Sequence, residues 1–149
     1  MKTLFAAGLL ALTGLLALTG LAQAQMSPVG LWRSIDDTTG QPKAEISIKD
    51  NGKGGLSGKV ERSLQSPSPE PMCTLCTDDR KGQPKIGMEI IRDAKKAGAD
   101  VVWEGGTILD PENGKTYKLK LTPLEDGKKL QVRGYIGPFF RTQVWQRVQ

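Results

Sequence analysis

The segment Tyr117-Lys118-Leu119-Lys120-Leu121 limits what this chain can become more than any other. Tyr117, Leu119 and Leu121 fall on one side and Lys118, Lys120 and Thr122 on the other. A period of two is that of a β-strand with one buried and one wet face. Just before it, Trp103-Glu104-Gly105-Gly106-Thr107-Ile108-Leu109-Asp110 reads as a strand interrupted by a glycine pair, which predicts a bulge or a sharp corner. Asn113-Gly114 between the two segments predicts a tight hairpin turn, because both residues tolerate positive φ.

Most of the chain after residue 28 repeats this device. Residues 29–35 form a first strand, and 44–49 place Ala44, Ile46 and Ile48 opposite Glu45, Ser47 and Lys49. Residues 56–62 return after a turn containing Asn51 and three glycines. A further strand covers 86–92, and 93–100 reads as a turn, with a single helical turn through 94–97 as the alternative. Leu130, Val132 and Gly134 alternate with Gln131, Arg133 and Tyr135, and 140–148 closes the chain. About eight or nine short strands joined mainly by hairpin turns predict an all-β antiparallel sandwich or barrel. A barrel is preferred because closure removes exposed sheet edges. With so short a chain, an interior mostly filled by side chains is expected.

Residues 63–83 break the rhythm. They hold Pro67, Pro69, Pro71, both cysteines and the run Asp78-Asp79-Arg80-Lys81. Closely spaced prolines disfavour a strand ladder, and so long a loop in a small domain must be functional or pinned.

The start of the chain reads as a cleavable signal peptide over 1–24. Lys2 is followed by an apolar run from Leu4 to Leu21, and Ala22-Gln23-Ala24 has the small-x-small form of a cleavage site. The length of the apolar run makes an uncleaved membrane anchor the rival reading. With cleavage, 25–149 is one domain without stable membrane insertion, in the periplasm or secreted. Lys and Arg number 21 against 16 Asp and Glu. That excess allows weak attraction to anionic envelope surfaces, but it is spread out, and no basic cluster with aromatics suggests nucleic acid.

Cys73-Thr74-Leu75-Cys76 in an exported chain predicts a disulfide that fixes the proline-rich loop. A redox pair is the alternative, disfavoured by Glu70, Asp78 and Asp79 nearby, since such chemistry needs a depressed thiol pKa. Two sulfurs without any histidine leave a zinc site short of ligands. The absence of histidine also removes the usual triads and dyads, so no enzyme and no cofactor are expected. Asp36-Asp37, Asp78-Asp79 and the pair Asp110 and Glu112 all sit in turn-forming sequence; a calcium loop at 110–114 lacks the regular spacing of oxygen ligands.

The aromatics are the better lead. Trp32, Trp103 and Trp145 sit near the start, middle and end of the domain, with Tyr117 and Tyr135 on strands between them. They build a core or line a cup, and an arginine among Arg133, Arg141 and Arg147 can cap an indole.

Gly30-Leu31-Trp32, Cys73-Thr74-Leu75-Cys76, Lys81-Gly82-Gln83-Pro84 with Ile86-Gly87, Trp103-Glu104-Gly105-Gly106, the segment from Leu109 to Tyr117, Val132-Arg133-Gly134-Tyr135 and Arg141-Thr142-Gln143-Val144-Trp145 together resemble the bacterial secreted family named domain of unknown function 2147. The resemblance implies a lipocalin-like closed barrel. Gly30-Leu31-Trp32 with a late arginine such as Arg141 also resembles the lipocalin pairing of an early Trp with a late Arg. The short chain and the lack of an evident C-terminal helix depart from lipocalins and argue against a roomy cup.

The function expected is binding of a small apolar or amphiphilic ligand at one mouth. Trp32, Trp103, Tyr117 and Tyr135 would supply contact area, and Arg133 and Arg141 would anchor a polar head. The alternative is an envelope interaction module that grips a protein or glycan through its outer face or the 63–83 loop.

Overall fold

The structure is a computed structural model that describes residues 26–148. The leader expected over 1–24 therefore lies outside the described residues. Eight strands form one closed antiparallel barrel in which each pairs with its neighbours in sequence. They are β1 (Gly30–Ile35), β2 (Pro42–Asp50), β3 (Leu56–Ser63), β4 (Glu89–Lys96), β5 (Trp103–Asp110), β6 (Lys115–Leu124), β7 (Lys129–Ile136) and β8 (Phe139–Arg147). No helix occurs among the described residues. The closing seam is short: Trp32 and Arg33 pair with Arg147 and Gln146. The Val148 amide extends it, donating to the Leu31 carbonyl at 2.8 Å.

The hydrophobic core is the inside of this barrel. Ile46 and Ile48 from β2, Val60 from β3, Ile91 from β4, Leu119 and Leu121 from β6, Leu130 and Val132 from β7 and Trp145 from β8 are all buried. These are largely the residues that alternate with charged neighbours in the sequence, so the water-sorting pattern of each strand sets which face turns inward.

Three boundaries differ from the sequence reading, each for a local reason. The strand expected at 86–92 starts only at Glu89, because Ile86 and Gly87 form a turn in which Gly87 has φ 83° and donates to the Val60 carbonyl. The same strand continues through the segment read as a turn, to Lys96. Asp93 adopts φ 57° there, an irregularity inside a strand rather than its end. Residues 103–110 form one continuous strand across the glycine pair. The register against β6 shifts between Glu104 and Gly106, and Gly105 takes φ 78°, so the expected bulge is present.

Because the strands form a simple meander, alternate connections share an end. The segment before β1 and the β2–β3, β4–β5 and β6–β7 turns gather at one end, the floor. The β1–β2 loop, the long 64–88 connection, the β5–β6 turn and the β7–β8 turn gather at the other, the mouth.

Candidate functional site

The floor is sealed. Trp32 and Leu130 are fully buried and Trp145 nearly so. The Trp32 indole Nε1 donates to the Pro28 carbonyl at 2.6 Å, which draws the N-terminal segment across the opening. The Arg147 guanidinium lies 4.1 Å from the Trp32 ring and donates to the carbonyls of Val29 and Ser27 at 3.0 and 2.7 Å. A cation over an indole face is attracted by the ring's negative face, more strongly where water is excluded. Burial pulls the Arg147 pKa down from its ordinary value. The early tryptophan thus pairs with Arg147. Arg141, the late arginine that the sequence suggests for this pairing, lies six residues earlier on β8, at the mouth.

The mouth opens into a cavity of about 180 Å³. Its depth is apolar, formed by Ala44, Ile46, Val60, Ile90, Ile108 and Val132, with Trp145 and Gln143 also on the wall. The Gln143 side-chain carbonyl accepts the Trp145 indole N–H at 3.0 Å. Gly134 and Tyr117 share one wall, and a Cβ on Gly134 would come within 3.1 Å of the Tyr117 Cβ, so glycine leaves the ring its place. The Tyr117 hydroxyl accepts from the Asn113 side-chain amide at 3.0 Å.

The rim is charged. Lys43, Lys85 and Arg141 contribute cations and Asp110 and Glu112 carboxylates. Lys43 donates to Glu112 at 2.7 Å and lies 3.9 Å from Asp36, tying the β1–β2 and β5–β6 turns together. Arg141 binds Asp37 with two nitrogens, its Nε at 2.6 Å, across 104 positions of sequence. The hydrogen bonds from Arg141 hold the Asp37 carboxyl below its ordinary pKa, and Asp37 raises that of Arg141. Asp36 is also held low, chiefly because it accepts the backbone N–H groups of Thr39 and Thr38.

The long connection supports this rim. Cys73 and Cys76 form a disulfide and are both buried. Backbone bonds between Cys73 and Gln83, Gly82 and Cys73, and Lys85 and Pro71 fold the loop back on itself. Buried Arg80 staples it to the barrel by donating to Asp78 at 2.5 Å and to the Glu89 carbonyl at 2.9 Å. Asp78, gripped by Arg80, has its pKa lowered to about 2. Asp79 pairs with Arg92 at 2.9 and 2.8 Å. Both carboxylates beside the cysteines are therefore committed to arginines. The Leu75 carbonyl packs so closely on the β5–β6 turn that any side chain at Gly114 would collide with it, and Gly114 also takes φ 73°. That turn has four residues, closed by the Gly114 amide on the Asp110 carbonyl, with Asn113 accepting from the Lys115 amide.

Of the residues singled out for a ligand, Tyr117 and Arg141 line the cavity. Trp32 is spent on the floor. Trp103 packs half-buried against the core with Lys96 over its ring at 5.9 Å. Tyr135 and Arg133 share the outer face of β7, where Tyr135 meets Phe140 at 6.0 Å and Arg133 lies 4.8 Å from the Phe140 ring while donating to Thr142 at 2.7 Å. Period two explains this division, since Arg133 and Tyr135 alternate with inward Val132 and Gly134. The same rule could have found Gln143 and Trp145, which share the parity of Arg141. Lys43, Lys85 and Glu112 carried no such signal, because turn residues are commonly charged whatever they do.

Residues 30–147 of this barrel match the family described as "Uncharacterized protein conserved in bacteria (DUF2147)". The chain belongs to the DUF2147 family. No curated protein matches it. Among solved structures, this DUF2147 chain is similar to protein HP1028 from Helicobacter pylori, described as belonging to the lipocalin family. Their TM-score is 0.68 at 15% identity, covering 81% of this chain and 82% of that one. At such identity the likeness establishes a shared lipocalin-like fold.

Proposed function

We propose that this DUF2147 protein binds one small amphiphile, with the apolar part in the barrel and the polar head among Lys43, Lys85, Arg141, Asp110 and Glu112. The observation that carries the reading is a cavity with apolar walls and a charged rim at the mouth of the barrel. Its size limits the ligand. An enclosed apolar cavity of about 150 Å³ holds benzene in another protein. At about 180 Å³ this one suits a single ring or a short alkyl chain, and a long acyl chain would project from the mouth. Burying roughly six methylenes at about 0.8 kcal/mol each gives about 5 kcal/mol, which sets a limit on the order of 0.1–1 mM for a bare short chain that the losses of association can only weaken. Binding without turnover is in keeping with a sequence that has no histidine.

The disulfide supports an oxidising compartment, and with it a periplasmic or secreted protein. A partner-gripping role for the 64–88 connection has less support, because Cys73, Cys76 and Arg80 turn inward and leave Leu75 and Met72 as its scattered apolar exposures before Ile86.

Calorimetric titration with octanoate and octylammonium tests the reading, with acetate and methylammonium as chainless controls. Saturable one-to-one binding of the chained ligands alone is expected. Equal responses to the chainless ions, or no heat from any of the four, would remove the cavity as a binding site.

A further inference from the structure

The apolar side chains outside the barrel are not scattered evenly. The β7–β8 hairpin turns at Gly137-Pro138, at the mouth end, and carries Ile136, Phe139 and Phe140 on its tip, exposed by 48%, 73% and 61%. Ile86, 51% exposed, stands on the cavity rim. Water-facing phenylalanines in adjacent positions cost solubility and mark a surface that is covered in use. Tyr135 stands against Phe140, an amphipathic ring of the kind that settles at the boundary between apolar and polar layers.

Three cations stand behind this tip on the outer face. Arg133 stacks on the Phe140 ring, and Lys118 pairs in register with Tyr135 and Lys120 with Arg133 along the outer face of β6 and β7. None of these three cations forms a salt bridge among the described residues; the nearest cross-strand acid is Glu104, opposite Lys120. The charges at the mouth itself are paired, Lys43 with Glu112 and Arg141 with Asp37. An aromatic wedge backed by unpaired cations is complementary to an anionic lipid surface, where rings sink to the headgroup level and lysines and arginines meet phosphates. A second copy of the chain would bring the same cations against themselves.

We propose that the Ile136–Phe140 hairpin tip docks the barrel mouth-down on an anionic bilayer, with Phe139 and Phe140 entering the interface and Lys118, Lys120 and Arg133 contacting headgroups. The cavity then opens toward the membrane, which suits a ligand whose tail exceeds the pocket. The docking stands on the outer face and does not need the cavity to be occupied.

Co-sedimentation of the chain, residues 25–149, with vesicles of phosphatidylglycerol and phosphatidylcholine tests this against vesicles of phosphatidylcholine alone. Binding to the anionic vesicles is expected, weakened by salt, and about tenfold lower or less in F139S/F140S and in K118E/R133E, since each variant removes one of the two contributions to interfacial binding. Circular dichroism and octanoate titration of both variants should match the parent, which separates a lost surface from a lost fold or a lost cavity. Equal binding to neutral vesicles, no binding to either, or undiminished binding of F139S/F140S would overturn the proposal. So would a dimer in light scattering that F139S/F140S abolishes while vesicles remain unbound. Octanoate binding without vesicle binding would leave the cavity reading standing and remove only the docking.

Discussion

The two ends of the barrel use the same residue types for opposite purposes. At the floor an arginine, Arg147, lies half-buried over Trp32 and donates to main-chain carbonyls, so it belongs to the packing. At the mouth Arg141, only six residues earlier, stays half in water and pairs with the carboxylate of Asp37 on another turn. The contrast shows that the surroundings of a guanidinium decide its work: a desolvated cation is fixed by its cage, whereas an exposed ion pair can exchange partners at small cost. The floor should therefore govern stability and the mouth should govern binding.

Truncating the floor gives the largest expected effect. Trp32→Ala should lower unfolding free energy by roughly 3–5 kcal/mol, the usual cost of emptying a buried aromatic site. Urea denaturation measures it, and a loss below about 1 kcal/mol would mean that the floor is not a stability centre. Next, Arg147→Met keeps the stem but strips the donors from the Ser27 and Val29 carbonyls, with an expected loss of about 2 kcal/mol in the same assay. Mouth substitutions should invert the balance. Lys43→Ala and Arg141→Ala should each change stability by less than about 1 kcal/mol, because exposed ion pairs contribute little, yet weaken octanoate binding severalfold. A large stability loss with unchanged binding would erase the distinction between the ends.

The smallest effect concerns acid. Asp78 has its pKa lowered to about 2 from 3.8, so its bond to Arg80 contributes fully above about pH 4 and is lost as pH falls toward 2. Amide exchange in the 71–85 segment should rise over that window before the strands respond. Uniform protection of loop and barrel down to pH 2 would show that the staple carries no stability of its own.

Much of this architecture was legible in advance, and the reason is local. Alternation in Tyr117-Leu119-Leu121, Ile46-Ile48 and Leu130-Val132 records which side of each strand meets water, so the strands and their inward residues could be read one by one. The bulge at Gly105-Gly106 was legible because paired glycines are costly in a regular strand. The β4 continuation was hidden, since Lys95 and Lys96 look like turn residues and their place in the sheet comes from pairing with Glu104 and Trp103 of β5, past the irregularity at Asp93.

The site was read less well. Trp32 had the composition of a ligand contact, but its assignment to the floor depends on Arg147 and Pro28, and nothing local distinguishes Arg147 from Arg141. The partnership of Arg141 with Asp37, 104 positions apart, exists only after the barrel closes. Pairings that depend on closure leave no periodic trace in sequence.

Everything assigned to the mouth rests on the apolar depth below it being available to a ligand. Ala44 stands on the cavity wall, and Ala44→Phe would fill that space while leaving the rim and its charges in place. The decisive measurement is octanoate titration by calorimetry on the parent and this variant, with folding checked by urea denaturation. Binding in the parent that falls at least about tenfold in Ala44→Phe, at nearly unchanged stability, is the predicted result. Undiminished binding by a folded Ala44→Phe barrel would contradict it.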